Sequence, residues 1–530
     1  MSIPRAIGLV AALLAGGAVA SVAAQHGSPS AAPPWTRGAV CYEVFVRSFF
    51  DSNGDGVGDL NGLIEKLEYI DKLGADCIWL MPVAASPSYH GYDVSDYYRV
   101  EPAYGTNDDF KRLVAEAHRR GIVVLVDMVL NHSSSEHPYF QAALRDTTSP
   151  YRAWYRFART SPGKDWHRSP VRDEYYYGLF WSGMPDLNYQ TPAVREEAKK
   201  IATFWLRDMD VDGFRLDAIP YLVEEGACLM GCPGTHTFLH EYAAHIDSVK
   251  PGAYTVGEAW GSIDQMLPYY PDQLTAYFGF ELSDSLLSAV RSGSAAGLLS
   301  GFLRLQDTLP AYRWAPFLTN HDQTRAMTQL KGDVARARLA ATLLLTLPGL
   351  PFLYYGEEIG MTGDKPDPRL RTPMQWNAGP GLGFTSGKAW ESAQPDSLTT
   401  TVAAQDADSG SLLNLYRRLI HLRKANEALA TGTLVPLTAS SPHVAAYLRR
   451  SGDHEVLVVA NLDAAPVSGV AIGSQPGVVP PGRYAARNLM GRASGAMLRV
   501  GPDGRITSYV PRSRLDSRES LVLDLTRAGQ

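Results

Sequence analysis

Between residues 40 and 355 the chain keeps returning to one pattern, a short apolar run followed by a longer amphipathic stretch. The apolar runs fall at 40–46, 76–81, 122–127, 213–217, 254–258, 276–280, 316–320 and 351–355. Helical patterning lies between them, as at 107–120, 192–209 and 334–346. Strands that alternate with helices lie parallel, because a parallel pair needs a long crossover and a helix supplies it. Eight such units predict an α/β fold of the (β/α)8 TIM-barrel type.

Two departures mark further domains. From 132 to 188 the pattern breaks into aromatic, polar and Pro-rich sequence, which reads as a lobe inserted after the third strand. After a helix at 412–426 the chain becomes rich in Val, Gly, Ser and Pro with strand-like alternation, and 430–530 reads as a C-terminal antiparallel β-sandwich. The barrel then comprises 35–131 and 189–429. Ahead of it, Arg5, an apolar stretch at 6–20 and small residues at 22–24 read as an export signal over 1–24. That stretch is short and runs into polar sequence, which favours a signal over a membrane anchor. The mature chain is therefore expected to be secreted or periplasmic, without a membrane span, and monomeric.

Hydrophobic residues make up 45% and charged residues 20% of the chain, the balance of an ordinary globular protein. The net charge of −6 and the lack of a long basic run exclude nucleic acid as the main partner, since phosphate binding needs concentrated Lys and Arg. The 27 Tyr, 16 Phe and 10 Trp suit stacking on sugar faces, although core packing takes most such rings. Of four cysteines, Cys228 and Cys232 sit in the loop GACLMGCPG and are expected to form a disulfide. Cys41 and Cys77 lie in strand-like runs and read as buried thiols. No second ligand pair completes a zinc site.

Polar residues gather where the strands end. Asp127, Asn131 and His132 follow the third strand, Arg215 and Asp217 close the fourth, Glu258 closes the fifth, and His321 and Asp322 follow the seventh. The C-terminal ends of barrel strands surround the active site. One Asp there reads as a helix cap; acids on three strand ends, with Arg and His, read as catalytic. Glycoside cleavage needs this set, with one carboxylate at the anomeric carbon and one protonated acid at the leaving oxygen. Arg215, two residues before Asp217, shares its strand face and favours the ionised form a nucleophile needs.

These segments resemble the α-amylase family of glycoside hydrolases. The resemblance rests on DMVLNH (127–132), GFRLDA (213–218), GEAW (257–260), TNHDQ (319–323), MPDLN (184–188), GYD (91–93) and RTPMQW (371–376), and it covers nearly everything from Trp35 onward. It implies Asp217 as nucleophile, Glu258 as acid/base and Asp322 as a transition-state stabiliser that binds sugar hydroxyls. It implies that Asp93, His132, Arg215 and His321 line the same subsite, with Tyr92 stacked on the sugar. MPDLN resembles the group intermediate between α-amylases and oligo-1,6-glucosidases, and RTPMQW resembles oligo-glucosidases and trehalose synthases. Export favours starch or maltooligosaccharides as substrate. A retaining α-glucan hydrolase is the first reading. An α-glucosidase or oligo-1,6-glucosidase comes next, then a transglycosylase such as a trehalose synthase. A non-catalytic binding relative ranks last, because all three acids are present.

A second feature is DSNGDGVGD at 51–59. Asp51, Asn53, Asp55, Val57 and Asp59 offer oxygen donors at alternating positions, as hard cations require. Gly62 stands where an EF-hand would place its closing Glu, so the loop is not an EF-hand. It reads as a calcium or magnesium site rather than a plain polar turn, and the resemblance points the same way.

Overall fold

The computed structural model describes residues 33–491 and 493–528, and the export signal read at 1–24 lies outside them. The apolar runs become strands β1 (Cys41–Val44), β2 (Cys77–Leu80), β3 (Val123–Met128), β4 (Gly213–Leu216), β5 (Tyr254–Gly257), β6 (Ala276–Phe278), β7 (Trp314–Ala315) and β8 (Phe352–Tyr354). They form a single sheet in the order β7-β6-β5-β4-β3-β2-β1-β8. Its edges meet where the Leu350 N–H donates to Trp314 O at 3.0 Å and the Phe352 N–H to Pro316 O at 2.9 Å, which closes the barrel. β7 stops at Ala315 instead of spanning 316–320. Pro316 has no N–H to give a ladder, so the chain continues as irregular backbone that buries Thr319, Asn320 and His321.

Strands covered on both faces read as unbroken apolar runs. One set of side chains, including Trp79, Leu125, Tyr254, Val256, Phe278 and Phe352, fills the barrel interior. Between β4 and β5 only glycine fits at 213, since a Cβ there would lie 1.8 Å from Tyr254 O. Cys41 and Cys77 are register partners on β1 and β2, and they are disulfide-bonded with Cα atoms 4.5 Å apart. The reading of these two as free thiols is thus corrected. Neighbouring parallel strands in register bring both side chains to the same interior layer, within bonding reach. Cys228 and Cys232 form the expected bond.

Between β3 and β4 the chain leaves the barrel through the helix Pro138–Arg145 and a small antiparallel sheet of Phe157–Ala158, Trp166–Arg168 and Tyr175–Tyr177. The C-terminal sheet orders β9 (Thr433–Pro436), β10 (Val444–Ser451), β11 (His454–Asn461), β12 (Gly482–Asn488), β13 (Leu498–Val500) and β14 (Ser520–Arg527) as β9-β10-β11-β14-β12-β13. One face, with Leu448, Leu457, Val459 and Leu523, packs under two small strand pairs. The other face, with Tyr447, Val458, Ala460 and Val522, joins the large core that surrounds the barrel.

Two buried arginines, Arg423 of the barrel and Arg449 of this domain, meet at one helix end of the barrel. The helix Val334–Thr346 ends with carbonyls that lack intrahelical partners. Arg423 donates to Leu345 O at 3.1 Å and Leu347 O at 2.8 Å, and Arg449 of β10 donates to Thr346 O at 2.6 Å. Burial lowers Arg423 to about 10 and Arg449 to about 9, so both stay cationic at neutral pH, facing the negative end of the helix dipole. Among the described residues no helix is long and apolar enough to cross a membrane.

Candidate active site

Strand register positions the acids. Asp127 on β3 is the partner of Arg215 on β4, and Arg215 is the partner of Val256 on β5. The Asp217 N–H donates to Met128 O at 3.2 Å and the Glu258 N–H to Leu216 O at 2.9 Å, so both carboxylates stand just past the ends of adjacent strands.

Arg215 is their common partner. Its Nη1 donates to Asp127 Oδ1 at 2.8 Å and Oδ2 at 2.9 Å, and to Asp217 Oδ1 at 2.8 Å. Its Nη2 lies 2.7 Å from Glu258 Oε2. The guanidinium sits 5.1 Å from the centre of the Trp79 ring, a cation–π contact inside the barrel. Glu258 Oε2 also accepts the Ala218 N–H at 3.0 Å, and Oε1 accepts the Trp260 indole N–H at 2.7 Å. Ala218 has φ of +46°, a left-handed conformation that costs a non-glycine residue about 1–2 kcal/mol. That turn follows Asp217 directly and presents its N–H to Glu258.

A second wing carries His321 and Asp322. His321 Nδ1 lies 2.5 Å from Glu43 Oε1, and its Nε2 lies 2.6 Å from the Tyr92 hydroxyl and 3.3 Å from Asp322 Oδ2. Tyr92 donates to Asp127 Oδ2 at 3.0 Å, which joins the two wings. The Tyr92 and His321 rings stack at 5.5 Å. Arg371 holds Asp322 Oδ1 at 2.7 Å and the His321 carbonyl at 3.1 Å.

This wiring sets the charges. Burial raises Asp217 and Glu258 above the usual carboxylate range, against the pull of Arg215. Burial lifts Asp127 to about 7 in the same way. Burial opposes the charge on His321, but Asp322 and Glu43 outweigh it and raise its pKa to about 9. Burial also opposes the charge on Asp322, yet His321, Arg371 and Arg215 hold it well below the usual range. Asp322 is therefore a fixed anion, while at Asp217 and Glu258 burial works against the charge and Arg215 works for it. Such a divergence among acids suits acid and base roles in one reaction.

Asp93 and His132 stand beside this network. Asp93 accepts the hydroxyls of Ser86, at 2.7 Å, and of Ser88, and lies 3.9 Å from His90 Nδ1. Burial lowers His132 to about 4, so its ring is neutral, and its buried Nε2 has no partner among the described residues. All of the residues read as nucleophile, acid, stabiliser and subsite lining are thus gathered at one end of the barrel. Glu43, Trp260 and Arg371 join them without having been read as site residues, and Asp127, read only as a strand-end acid, joins them too. Glu43 is a charge in the otherwise apolar run of β1, and Arg371 opens RTPMQW, so both left a signal.

The 51–59 loop lies elsewhere. Asp51 accepts the N–H groups of Asn53 at 3.0 Å, Gly54 at 2.7 Å and Gly56 at 2.8 Å. Asp59 accepts the Gly62 N–H at 2.7 Å and caps the helix Leu60–Leu73. Among the described residues no group of three His, Cys, Asp or Glu converges as a ready ligand set. The donors here mix carboxylates with the Asn53 amide and the Val57 carbonyl, all hard oxygens, a set that fits calcium or magnesium.

Residues 43–432 match the family model described as the catalytic domain of α-amylase. The chain is 40% identical over 438 residues to α-amylase 3 of Dictyoglomus thermophilum, covering 81% of this chain and 86% of that protein. It is 37% identical over 505 residues to the trehalose synthase/amylase of Mycolicibacterium smegmatis, covering 82% and 85%. The crystal structure of an α-amylase from H. orenii superposes with a TM-score of 0.77 at 39% identity, covering 92% of this chain and 99% of that one.

Proposed function

Because the chain belongs to the α-amylase family of glycoside hydrolases, we propose that it cleaves α-1,4-glucosidic bonds of starch or maltooligosaccharides with retention of configuration. The observation that carries this reading is that the proposed nucleophile and the proposed acid share a single guanidinium. Asp217 and Glu258 sit on the two terminal nitrogens of Arg215, at 2.8 and 2.7 Å. Adjacent nitrogens of one planar group keep the carboxyls close, and a short separation suits direct attack by one of them, whereas inversion needs room for a water between them.

Asp217 attacks the anomeric carbon while Glu258 gives its proton to the departing oxygen. Asp217 and Asp322 both raise the affinity of Glu258 for that proton. Once Asp217 is esterified its charge is gone, so Glu258 gives up a proton more easily and is poised as the base that activates water in the second half. Asp322, fixed as an anion by His321 and Arg371, accepts sugar hydroxyls and faces the positive charge that develops on the ring. Tyr92 offers its stacked ring to the sugar, and the free Nε2 of His132 and the carboxylate of Asp93 take further hydroxyls.

Proton NMR of fresh product from maltoheptaose tests the reading: α-anomer must appear first, and an initial β-anomer overturns it. Resolving products from soluble starch, maltoheptaose, isomaltose and maltose over time fixes the bond and the mode of attack. A second reading, sugar transfer in place of hydrolysis, is favoured by the likeness to the trehalose synthase/amylase of Mycolicibacterium smegmatis. The same product analysis at high maltose separates the two. Export of the chain fits its two disulfides, since such bonds persist in oxidising compartments. Calcium or magnesium bound at Asp51, Asn53, Asp55, Val57 and Asp59 would neutralise a crowded acidic turn and order it, with no part in the chemistry.

A further inference from the structure

Beside Trp260, whose indole N–H donates to Glu258, lies a hollow of about 190 Å³, lined by Pro220, Met230, His236, Trp260, Gln265 and Tyr269 among others. Trp260 is fixed in this wall, stacked on Phe280 at 4.1 Å with its indole N–H on Glu258. The facing wall is the turn closed by the bond between Cys228, on the surface, and Cys232, fully buried at the start of the helix Pro233–Val249. The turn is tied down twice more. The Gly231 N–H donates to Pro220 O at 2.7 Å, and Glu225 and Cys228 exchange backbone hydrogen bonds at 2.9 and 3.0 Å. Pro220 follows the strained Ala218 turn, so the tip is braced against the backbone that carries Asp217. Despite this bracing Met230 stays exposed at the rim, which puts a large apolar side chain in water without any core to join.

We propose that Met230, held by the Cys228–Cys232 turn, is a specificity-determining residue that closes an acceptor hollow for one sugar ring on the acid side of Glu258. The proposal rests on the catalytic reading above. The leaving oxygen must lie where Glu258 delivers its proton, so the departing sugar lies on that side. The lining matches a pyranose, with apolar faces from Trp260, Tyr269 and Met230 and polar groups from His236 and Gln265. In transfer, the bond from C1 to the Asp217 carboxylate breaks, a bond from an acceptor hydroxyl oxygen to C1 forms, and Glu258 takes the hydroxyl proton.

The test compares maltotriose, which has a sugar leaving group, with α-glucosyl fluoride, which has none, in the full-length chain. For Met230→Ala, kcat/KM on maltotriose should fall about tenfold more than on the fluoride, the scale of one apolar contact in a pocket. The Cys228→Ser/Cys232→Ser double variant should shift the same ratio in the same direction, with less maltose transfer relative to hydrolysis. Met230→Ala lies on the surface and keeps the test readable should the double variant unfold. Equal losses on both donors for Met230→Ala overturn the acceptor hollow. Absence of fluoride hydrolysis by the unaltered chain overturns the catalytic reading, and the hollow with it.

Discussion

The Nη2 of Arg215 lies 2.7 Å from Oε2 of Glu258, on the same oxygen that accepts the Ala218 N–H. The acid thus meets two donors on one oxygen and the Trp260 indole on the other. These donors favour its anion, whereas burial and the charges of Asp217 and Asp322 favour its proton. The balance between these opposed effects sets when Glu258 donates and when it accepts.

Glu258→Gln should lower turnover of maltooligosaccharides on the order of 10²–10⁴-fold, the usual contribution of a general acid. Hydrolysis of α-glucosyl fluoride should suffer far less in its first step, because fluoride departs without a proton. Asp217→Asn should be inactive on both donors, since an amide is no nucleophile. Near-normal turnover by folded Asp217→Asn would contradict the assignment.

The rate should follow a bell-shaped pH profile, with Asp217 ionised and Glu258 protonated in the working state. Asp322 raises the pKa of Glu258. Asp322→Asn removes that charge, so Glu258 loses its proton at lower pH and the alkaline limb moves toward acid. Profiles of kcat/KM for both proteins read this directly, even though the variant is slow. An alkaline limb that stays in place would show that Glu258 does not sense Asp322.

His321 should make stability depend on pH. Its pKa rises from 6.5 to about 9 between Glu43 and Asp322, with Tyr92 on the same nitrogen as Asp322. The stabilisation from its charge is fully present below pH 6.5 and is lost as pH rises through about 9. In urea unfolding, the gap between the unaltered chain and His321→Gln should be widest on the acid side of this window and narrow above it. A gap independent of pH would mean that His321 is buried neutral.

Calcium should raise the melting temperature and a chelator lower it. A ligand at one hundred times its Kd stabilises the folded state by about 2.7 kcal/mol. In Asp55→Ala that response should shrink, with little change in turnover per folded molecule. A full calcium response in Asp55→Ala would place the stabilising ion elsewhere.

The barrel was legible because both faces of its strands are buried, which leaves apolar runs that no surface strand would show. The acids were legible because they interrupt those runs at the strand ends. Other features depend on register, which a linear pattern does not carry. Cys41 and Cys77 look like ordinary buried residues until β1 and β2 align them. Asp127 was visible as a strand-end acid, but its bond to Arg215 follows from the pairing of β3 with β4. β7 was misplaced because 316–320 is as apolar as a strand, and only the missing N–H of Pro316 argues otherwise. Arg371 reaches Asp322 across 49 residues of chain, a contact that spacing cannot reveal.

The capped end of the helix Val334–Thr346 makes the barrel and the sheet behind it one cooperative unit. A chain stopped after Ala430 would lose Arg449 from Thr346 O and the Tyr447 hydroxyl from Thr346 Oγ1, and would expose the apolar barrel surface that β10, β11 and β14 cover in the whole chain. The barrel so truncated keeps every catalytic group yet has an open seam, so it should aggregate before it can be assayed. Calorimetry of the whole chain should accordingly record a single melting transition, and swapping the C-terminal domain for one from another protein should fail unless the graft restores a cation at that carbonyl cluster.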